Sequence, residues 1–186
     1  MMKPLSILVL LVLLLIACDE KSETISITDT YRTVSTPSLD LLTAIDKKNL
    51  NIIKQHIAAG TNINDYAVPQ GQPWEGAQPM HIAVLKNNAE IIKILLENGA
   101  NINIKAKNKE QATPLHWAVF FQLEEMVSLL IKSGANINAK EANGFTPVDT
   151  GILVKLSVLK KPKELEKITT ILMILSKNGG LSADEL

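Results

Sequence analysis

The side chains with the widest chemical repertoire in this chain are three histidines and one cysteine. His81 and His116 lie 35 residues apart, and each follows a proline by two positions. Such a pair could bind a metal ion or transfer protons, but the sequence has no HExxH segment, no GxSxG segment and no glycine-rich phosphate loop to complete a site. We therefore predict no catalytic residue, no metal site and no cofactor, and we expect that the protein is not an enzyme.

The single cysteine, Cys18, directly follows an apolar run at residues 5–17. The run has 13 residues, which is too short for a membrane-spanning helix but typical of the core of a signal peptide. Its last residues, LIAC, are similar to the bacterial lipobox, in which the cysteine receives diacylglycerol and becomes the first residue of the mature protein. The resemblance implies a signal peptide at residues 1–17 and lipidation of Cys18. The alternative is an ordinary signal peptide followed by a chance cysteine.

Residues 18–37 are rich in serine, threonine and charged residues, which predicts a flexible tether behind the lipidated cysteine. Asp19 resembles the inner-membrane retention signal of enterobacterial lipoproteins. We therefore expect a bacterial envelope protein that faces the periplasm, with the inner membrane favoured. The chain has 19 basic and 19 acidic side chains, so its composition gives no basic surface for nucleic acid.

Three short segments are nearly identical: GTNIN at residues 60–64, GANIN at residues 99–103 and GANIN at residues 134–138. Their glycines are 39 and 35 residues apart, and repetition at this period is typical of stacked-repeat proteins. Gly99 and Gly134 each follow an amphipathic helix pattern, as expected of a residue that ends a helix in the left-handed conformation. We place Leu95 and Leu129 on the apolar faces of these helices.

The starts of other helices are marked by Pro79, Pro114 and Pro147, because proline is favoured at the first helical position. Thr113 precedes one of these prolines as a candidate N-cap. The segments PMHIA, TPLHWA and TPVDTG, combined with the GANIN endings, resemble the ankyrin repeat over roughly residues 38–180. The resemblance implies an all-α solenoid of about four helix-turn-helix repeats, at residues 38–64, 78–103, 113–138 and 146–180, with a C-terminal tail at residues 181–186.

The resemblance also implies a structural role for His81 and His116, as residues that form hydrogen bonds within their repeats. Asp149 takes the histidine position in the fourth repeat, and we expect it to weaken the local hydrogen-bond network. His56 lies outside the motif, and we expect it at the surface. Trp117 takes an apolar position of the repeat, so we expect it in the core.

A protein partner is the ligand that the resemblance implies, bound by the loops between repeats and by the first helices of a monomer. The candidate partner-binding residues are Leu85, Lys86, Phe120 and Phe121 on first helices, Tyr66 and Trp74 in a lengthened loop at residues 65–77, and Asn143 and Phe145 in a later loop. Two alternatives remain open at this point: one of the two adjacent phenylalanines packs into a neighbouring repeat, and Trp74 folds back over the first repeat.

Residues 155–167 form an insertion in the fourth repeat, with five lysines and two glutamates. It could contact anionic lipid or form a solvated helical extension, and we favour the solvated extension.

The expected function is that of an immunity or protective factor that neutralises a toxic effector. The alternative is an accessory or scaffold lipoprotein that supports a resident envelope enzyme, for instance in oxidative-stress defence.

Overall fold

The computed structural model describes residues 36–186, which form eight α-helices and no strand. The helices are α1 Leu41–Asp46, α2 Leu50–Ala58, α3 Pro79–Leu85, α4 Ala89–Glu97, α5 Pro114–Phe120, α6 Glu124–Lys132, α7 Pro147–Ser157 and α8 Pro162–Lys177, followed by a 3-10 turn at Ala183–Glu185. They form four consecutive pairs, so the all-α repeat solenoid predicted from the sequence is confirmed. The predicted signal peptide, Cys18, Asp19 and the tether up to residue 35 lie outside the described residues.

The local chemistry of the helix ends explains why these segments fold as they do. Proline is the first residue of α3, α5, α7 and α8, and a reciprocal capping box precedes α3, α5 and α7. Gly99 and Gly134 follow α4 and α6 with φ values of 83° and 88°. This left-handed conformation ends a helix, and glycine adopts it with the lowest conformational cost. Within the described part of the chain, no helix combines the length and the apolar character that a membrane span requires.

The core is continuous because each first helix packs on the next, with contacts between α1 and α3, α3 and α5, and α5 and α7. Ile45, Val84 and Val119 lie at the same position of successive first helices, and all three are fully buried. Gly151 shows how close this stacking is, since a Cβ atom there would lie 3.3 Å from Cγ1 of Val119. Small residues at this position therefore let neighbouring repeats approach.

The apolar faces of α4 and α6 are centred slightly differently from the sequence prediction. Leu95 is fully buried, as expected, but Leu129 is only partly buried and packs against the edge of the core. Leu130 is the fully buried leucine of α6 and lies at the position of Leu95, four residues before the closing glycine. The prediction was therefore displaced by one residue in α6.

The asparagines of the GTNIN and GANIN segments connect neighbouring repeats. In each segment the last asparagine accepts a hydrogen bond from a backbone N–H of the next repeat: Asn101 N to Asn64 Oδ1 at 2.7 Å, Asn136 N to Asn103 Oδ1 at 2.7 Å, and Leu181 N to Asn138 Oδ1 at 2.8 Å. These bonds satisfy backbone groups that follow the helix ends. The repeated motif thus reflects a repeated hydrogen bond between repeats.

The fourth helix pair differs from the others in length. Helix α7 has 11 residues where α3 and α5 have 7, and α8 has 16 where α4 and α6 have 9. The insertion at residues 155–167 therefore lengthens both helices, which makes it helical apart from the turn between them.

Asp149 does not weaken the hydrogen-bond network of the fourth repeat, so that expectation was wrong. Its carboxylate accepts hydrogen bonds from Thr146 N at 2.8 Å, from the Thr146 hydroxyl at 2.9 Å and from Ala183 N at 2.9 Å. Burial alone would raise the pKa of Asp149, but the hydrogen bonds from Thr146 and Ala183 hold it below its usual value. A carboxylate thus replaces the histidine at the helix start and also binds the C-terminal tail.

Candidate functional site

The described part of the chain contains an open cleft of about 490 Å³. It lies between the first helices α5 and α7 and the loops that connect the repeats. We call these loops the first finger (residues 65–77), the second finger (residues 105–112) and the third finger (residues 140–145). The aromatic residues that line the cleft are Trp74, Trp117, Phe120, Phe121 and Phe145. These are both tryptophans and all three phenylalanines of the chain.

The aromatic rings form a cluster that is buried on one side and exposed on the other. Phe121 is the central ring: its centroid lies 5.4 Å from Trp74, 5.1 Å from Phe120 and 6.0 Å from Trp117, in edge-to-face contacts. Phe121 is half-buried and Trp117 is buried, whereas the exposed fractions are 58% for Phe120, 51% for Trp74 and 42% for Phe145. Phe121 and Trp117 therefore act as a floor, and the three exposed rings are free to contact a ligand.

Trp74 lies over the third helix pair rather than over the first repeat. Its ring packs against Trp117 and Phe121, both on or directly after α5. Its backbone has a φ of 65°, a left-handed conformation that costs a non-glycine residue about 1–2 kcal/mol. The alternative that Trp74 folds back over the first repeat does not agree with these contacts.

Backbone hydrogen bonds between adjacent fingers hold Trp74 in this place. The first finger closes on itself through Val68 N to Ala77 O at 2.8 Å and Gly76 N to Val68 O at 2.9 Å. It joins the second finger through Lys107 N, which donates to Gly76 O at 2.7 Å. A Cβ atom on Gly76 would lie 2.5 Å from the Lys107 carbonyl carbon, so this contact requires glycine. The loop that carries Trp74 is thus fixed by the loop after it.

The third finger is organised by the carboxylate of Glu141. Its Oε1 accepts hydrogen bonds from both Asn143 N at 2.8 Å and Phe145 N at 3.0 Å. The finger joins the second finger through Ala142 N, which donates to Glu110 O at 2.8 Å. Asn143 and Phe145 therefore reach the edge of the cleft from a loop whose conformation is set by its own acidic residue.

His81 and His116 are buried and have structural roles. Nδ1 of His81 accepts from Gln78 N at 3.2 Å, and its Nε2 donates to Ala112 O at 3.0 Å. His116 repeats this arrangement with Thr113 N at 3.3 Å and Phe145 O at 3.0 Å. Each ring thus joins its helix start to the following finger, a bond to the next repeat that the sequence analysis did not predict.

The electrostatic state of these histidines follows from their burial. Burial lowers the pKa of His81 to about 4, and burial also lowers the pKa of His116. Both rings are therefore neutral near pH 7. In this state Nε2 carries the proton and donates a hydrogen bond to a backbone carbonyl, while Nδ1 accepts a hydrogen bond from a backbone N–H.

Three of the predicted partner-binding residues do not line the cleft. Tyr66 is half-buried, with its ring 6.3 Å from that of His56. Leu85 packs against the core, and Lys86 forms an ion pair with Asp46. The structure therefore brings together Trp74, Phe120, Phe121, Asn143 and Phe145, and it places Tyr66, Leu85 and Lys86 elsewhere.

His56 is buried, so the expectation of a surface residue was wrong. Its Nε2 lies 2.8 Å from Leu39 O and its Nδ1 lies 3.0 Å from the Thr61 hydroxyl. The repeat offset indicates this position, because His56 lies four residues before Gly60 as the buried Leu95 lies before Gly99. Thr61 replaces the alanine of the later GANIN segments and supplies the polar partner that a buried histidine requires.

Several lining residues were not identified from the sequence as site residues. Glu110 and Glu141 are the charged side chains of the lining, and Thr150 and Ser157 line the side formed by α7. The cleft therefore combines an aromatic floor with an acidic edge. Among the described residues, no cluster of three or more histidine, cysteine or acidic side chains is placed to hold a metal ion.

Comparison with known families agrees with this architecture. Residues 41–141 match a family model described as ankyrin repeats, in three copies. The match covers α1 to α6, the first and second fingers and the start of the third finger. Ankyrin repeats are protein–protein interaction modules, and proteins built from them are generally binding proteins without enzymatic activity. No curated protein matches this chain.

Proposed function

We propose that this chain, which belongs to the ankyrin-repeat family, binds another protein in its aromatic cleft while a lipid on Cys18 holds it at a bacterial membrane. The observation that carries the binding proposal is the concentration of aromatic residues. Both tryptophans and all three phenylalanines line one cleft, and three of these rings remain exposed. Exposed aromatic side chains over a packed floor are the usual anchors of protein interfaces.

The lining indicates the chemistry of the partner surface. An apolar or aromatic side chain of the partner would displace water from Phe120, Trp74 and Phe145, which stabilises the complex through the hydrophobic effect. Glu110 and Glu141 at the edge favour a basic group beside that side chain and disfavour an acidic one. We therefore expect a partner segment with an apolar anchor and a neighbouring lysine or arginine.

The biological role that we propose is immunity or protection. A lipid-anchored protein that faces the periplasm would occlude the active surface of a toxic effector that arrives there, and Asp19 favours the inner membrane as the location. Co-purification from envelopes, followed by mass-spectrometric identification of the captured protein, tests this role. A resident envelope enzyme as the main captured protein would contradict it and favour the accessory role.

Replacing Phe120 with alanine is expected to weaken partner binding by about 2 kcal/mol or more, or roughly 30-fold in Kd. Phe120 is the most exposed ring of the cleft, so its removal should leave the melting temperature nearly unchanged. Calorimetry with the purified captured partner measures both quantities on folded protein.

Met173→Ala is the matched control, because Met173 is also about half exposed but does not line the cleft. Its affinity for the partner should equal that of the wild type. If Phe120→Ala and Trp74→Ala both bind the partner as tightly as the wild type, the interface lies outside the cleft.

Cys18→Ser is expected to abolish fatty-acid attachment, since Cys18 is the chain's one thiol. The wild type should incorporate a labelled fatty acid when it is expressed in a bacterium, and the variant should accumulate as an unlabelled precursor. Labelling followed by gel electrophoresis measures this directly. A wild-type chain that carries no label would refute the proposed anchor without affecting the proposed role of the cleft.

A further inference from the structure

We propose that the turn between α7 and α8 is a second binding surface, which docks on anionic membranes. We call residues 155–163 the basic corner. This segment contains four lysines and no acidic residue, and it carries two leucines that point away from the core. Neither leucine lines the aromatic cleft. Ser157 of the corner does line the cleft, but the proposed membrane contact uses the lysines and leucines of the corner, so each contact can fail without the other.

The two leucines of the basic corner are exposed, and they do not contribute to the core at this end of α7. Leu156 and Leu159 have exposed fractions of 59% and 56%. The neighbouring Val154 and Val158 are buried and supply the packing of this end of α7. A helical extension that only had to be soluble would carry polar residues at the two exposed positions. Two exposed leucines three residues apart instead indicate a surface that is covered in some functional state.

The shape of the basic corner suits a flat surface better than a partner helix. Helix α7 is four residues longer than α3 or α5, so its end extends about 6 Å further along the helix axis. The first turn of α8 is part of the same extension. Leucines on a protruding turn can enter the headgroup region of a bilayer, whereas a partner helix would require a groove.

The charges of the basic corner identify the kind of membrane. Lys161 is paired with Glu164 at 3.1 Å, but Lys155, Lys160 and Lys163 form no ion pair with any other described residue. Lysines beside inserted apolar side chains favour anionic lipid headgroups. A second copy of the chain is a poorer occupant, because symmetric contact would bring the same lysines together. We therefore infer a bilayer rich in anionic lipid as the occupant.

A fluorescent probe at the corner tests the proposal in the full chain. In a Cys18→Ser background, Leu159→Cys allows attachment of an environment-sensitive fluorophore at the proposed contact. We expect a blue shift with vesicles of mixed phosphatidylglycerol and phosphatidylcholine, and no shift with phosphatidylcholine alone. High salt should reverse the shift. The control probe, at Ser133→Cys on the exposed end of α6, should respond to neither vesicle.

Charge reversal gives a second readout that does not depend on the probe position. The double variant Lys160→Glu with Lys163→Glu should lower the affinity of the corner for anionic vesicles at least tenfold, because both lysines are exposed and neither forms an ion pair with another described residue. Circular dichroism confirms that the variant is folded. Attachment through the apolar run at residues 5–17 would occur with both vesicle types, so the difference between them isolates the corner.

Several results would overturn the proposal. A probe at residue 159 that does not respond to anionic vesicles, or that responds equally to both kinds, excludes recognition of anionic lipid by the corner. A concentration-dependent shift without vesicles would instead indicate a second copy as the occupant. A shift only after addition of an acidic protein would indicate a protein contact.

Discussion

Gly76→Ala is expected to lower the free energy of unfolding by about 2–5 kcal/mol, the sum of two effects. A left-handed backbone costs a residue with a Cβ atom about 1–2 kcal/mol, and Gly76 has a φ of +77°. Overpacking costs a further 1–3 kcal/mol or so, because the new Cβ would lie 2.5 Å from the Lys107 carbonyl carbon and 2.7 Å from Asn108 N. These are backbone atoms, so the finger itself must move. Urea unfolding of the purified protein measures the loss.

Gly71→Ala is the matched control for this prediction. Gly71 belongs to the same finger and has a φ of +79°, but apart from Gly71 itself and its two chain neighbours no atom lies within 4 Å of an added Cβ. The substitution should therefore lose only the conformational part, about 1–2 kcal/mol. Equal losses for the two variants would show that the first and second fingers do not stack as described.

The same substitution connects stability to the candidate site. Gly76 is two residues from Trp74, and the bond from Lys107 N to Gly76 O is the link that holds the first finger against the second. A finger displaced by the new Cβ would carry Trp74 away from Trp117 and Phe121. We therefore expect Gly76→Ala to weaken partner binding even at a temperature where the repeats remain folded.

The fold could be predicted from the sequence because the repeat imposes local requirements on particular residues. A proline at the first helical position, a capping residue before it and a glycine at the helix end are each needed for reasons that act within a few residues. Pro114, Thr113 and Gly134 carry these requirements in the third repeat, and the structure confirms them. The closing asparagines add a contact between repeats that recurs with the same period.

The predictions for His56 and Asp149 were wrong because each residue departs from the repeat pattern and forms a hydrogen bond with a residue distant in the sequence. His56 is satisfied by a carbonyl 17 residues earlier in the chain, and Asp149 is satisfied by the tail 34 residues later. Neither partner belongs to the repeat motif. Such polar groups look solvent-exposed or disruptive in the sequence because burial in the fold is what makes the distant bond necessary.

The candidate site could be predicted only in part for a related reason. The positions of Phe120 at the end of α5 and of Phe121 directly after it follow from the repeat, but Phe120 is the more exposed of the two because Trp74 packs on Phe121. The lengthened first finger has no counterpart in the other repeats, and its path is set by contact with the second finger. Sequence periodicity gives no information about such a contact. The aromatic floor therefore could not be predicted from the repeat pattern alone, because it depends on the contact between the first and second fingers.

Acidification from pH 7 to pH 4 is expected to destabilise the fold by about 3 kcal/mol through His81 alone. Burial lowers the pKa of His81 from 6.5 to about 4, whereas in the unfolded chain the ring titrates near its ordinary value. Between these two values the unfolded state binds more protons than the folded state, so stability decreases as the pH falls. The contribution of His81 is complete above about pH 6.5 and is lost by about pH 4.

Urea unfolding at several pH values between 7 and 4 tests this prediction, with His81→Asn as the comparison. Asparagine removes the titrating ring, so the variant should be less stable at pH 7 but should depend less on pH over this window.

The lowered pKa of His116 acts in the same direction and accounts for part of the pH dependence of stability that remains in the variant. Hydrogen bonds hold the pKa values of Asp40 and Asp149 below the usual value of an aspartate, so their contribution is lost mainly at more acidic pH. A wild type with equal stability at pH 7 and pH 4.5, or a variant with the wild-type pH dependence, would show that His81 is not held neutral by the fold. Protonation of His81 adds a proton to Nδ1, which can then no longer accept from Gln78 N, whereas Nε2 still donates to Ala112 O. The hydrogen bond that acidification removes is therefore the one at the start of α3.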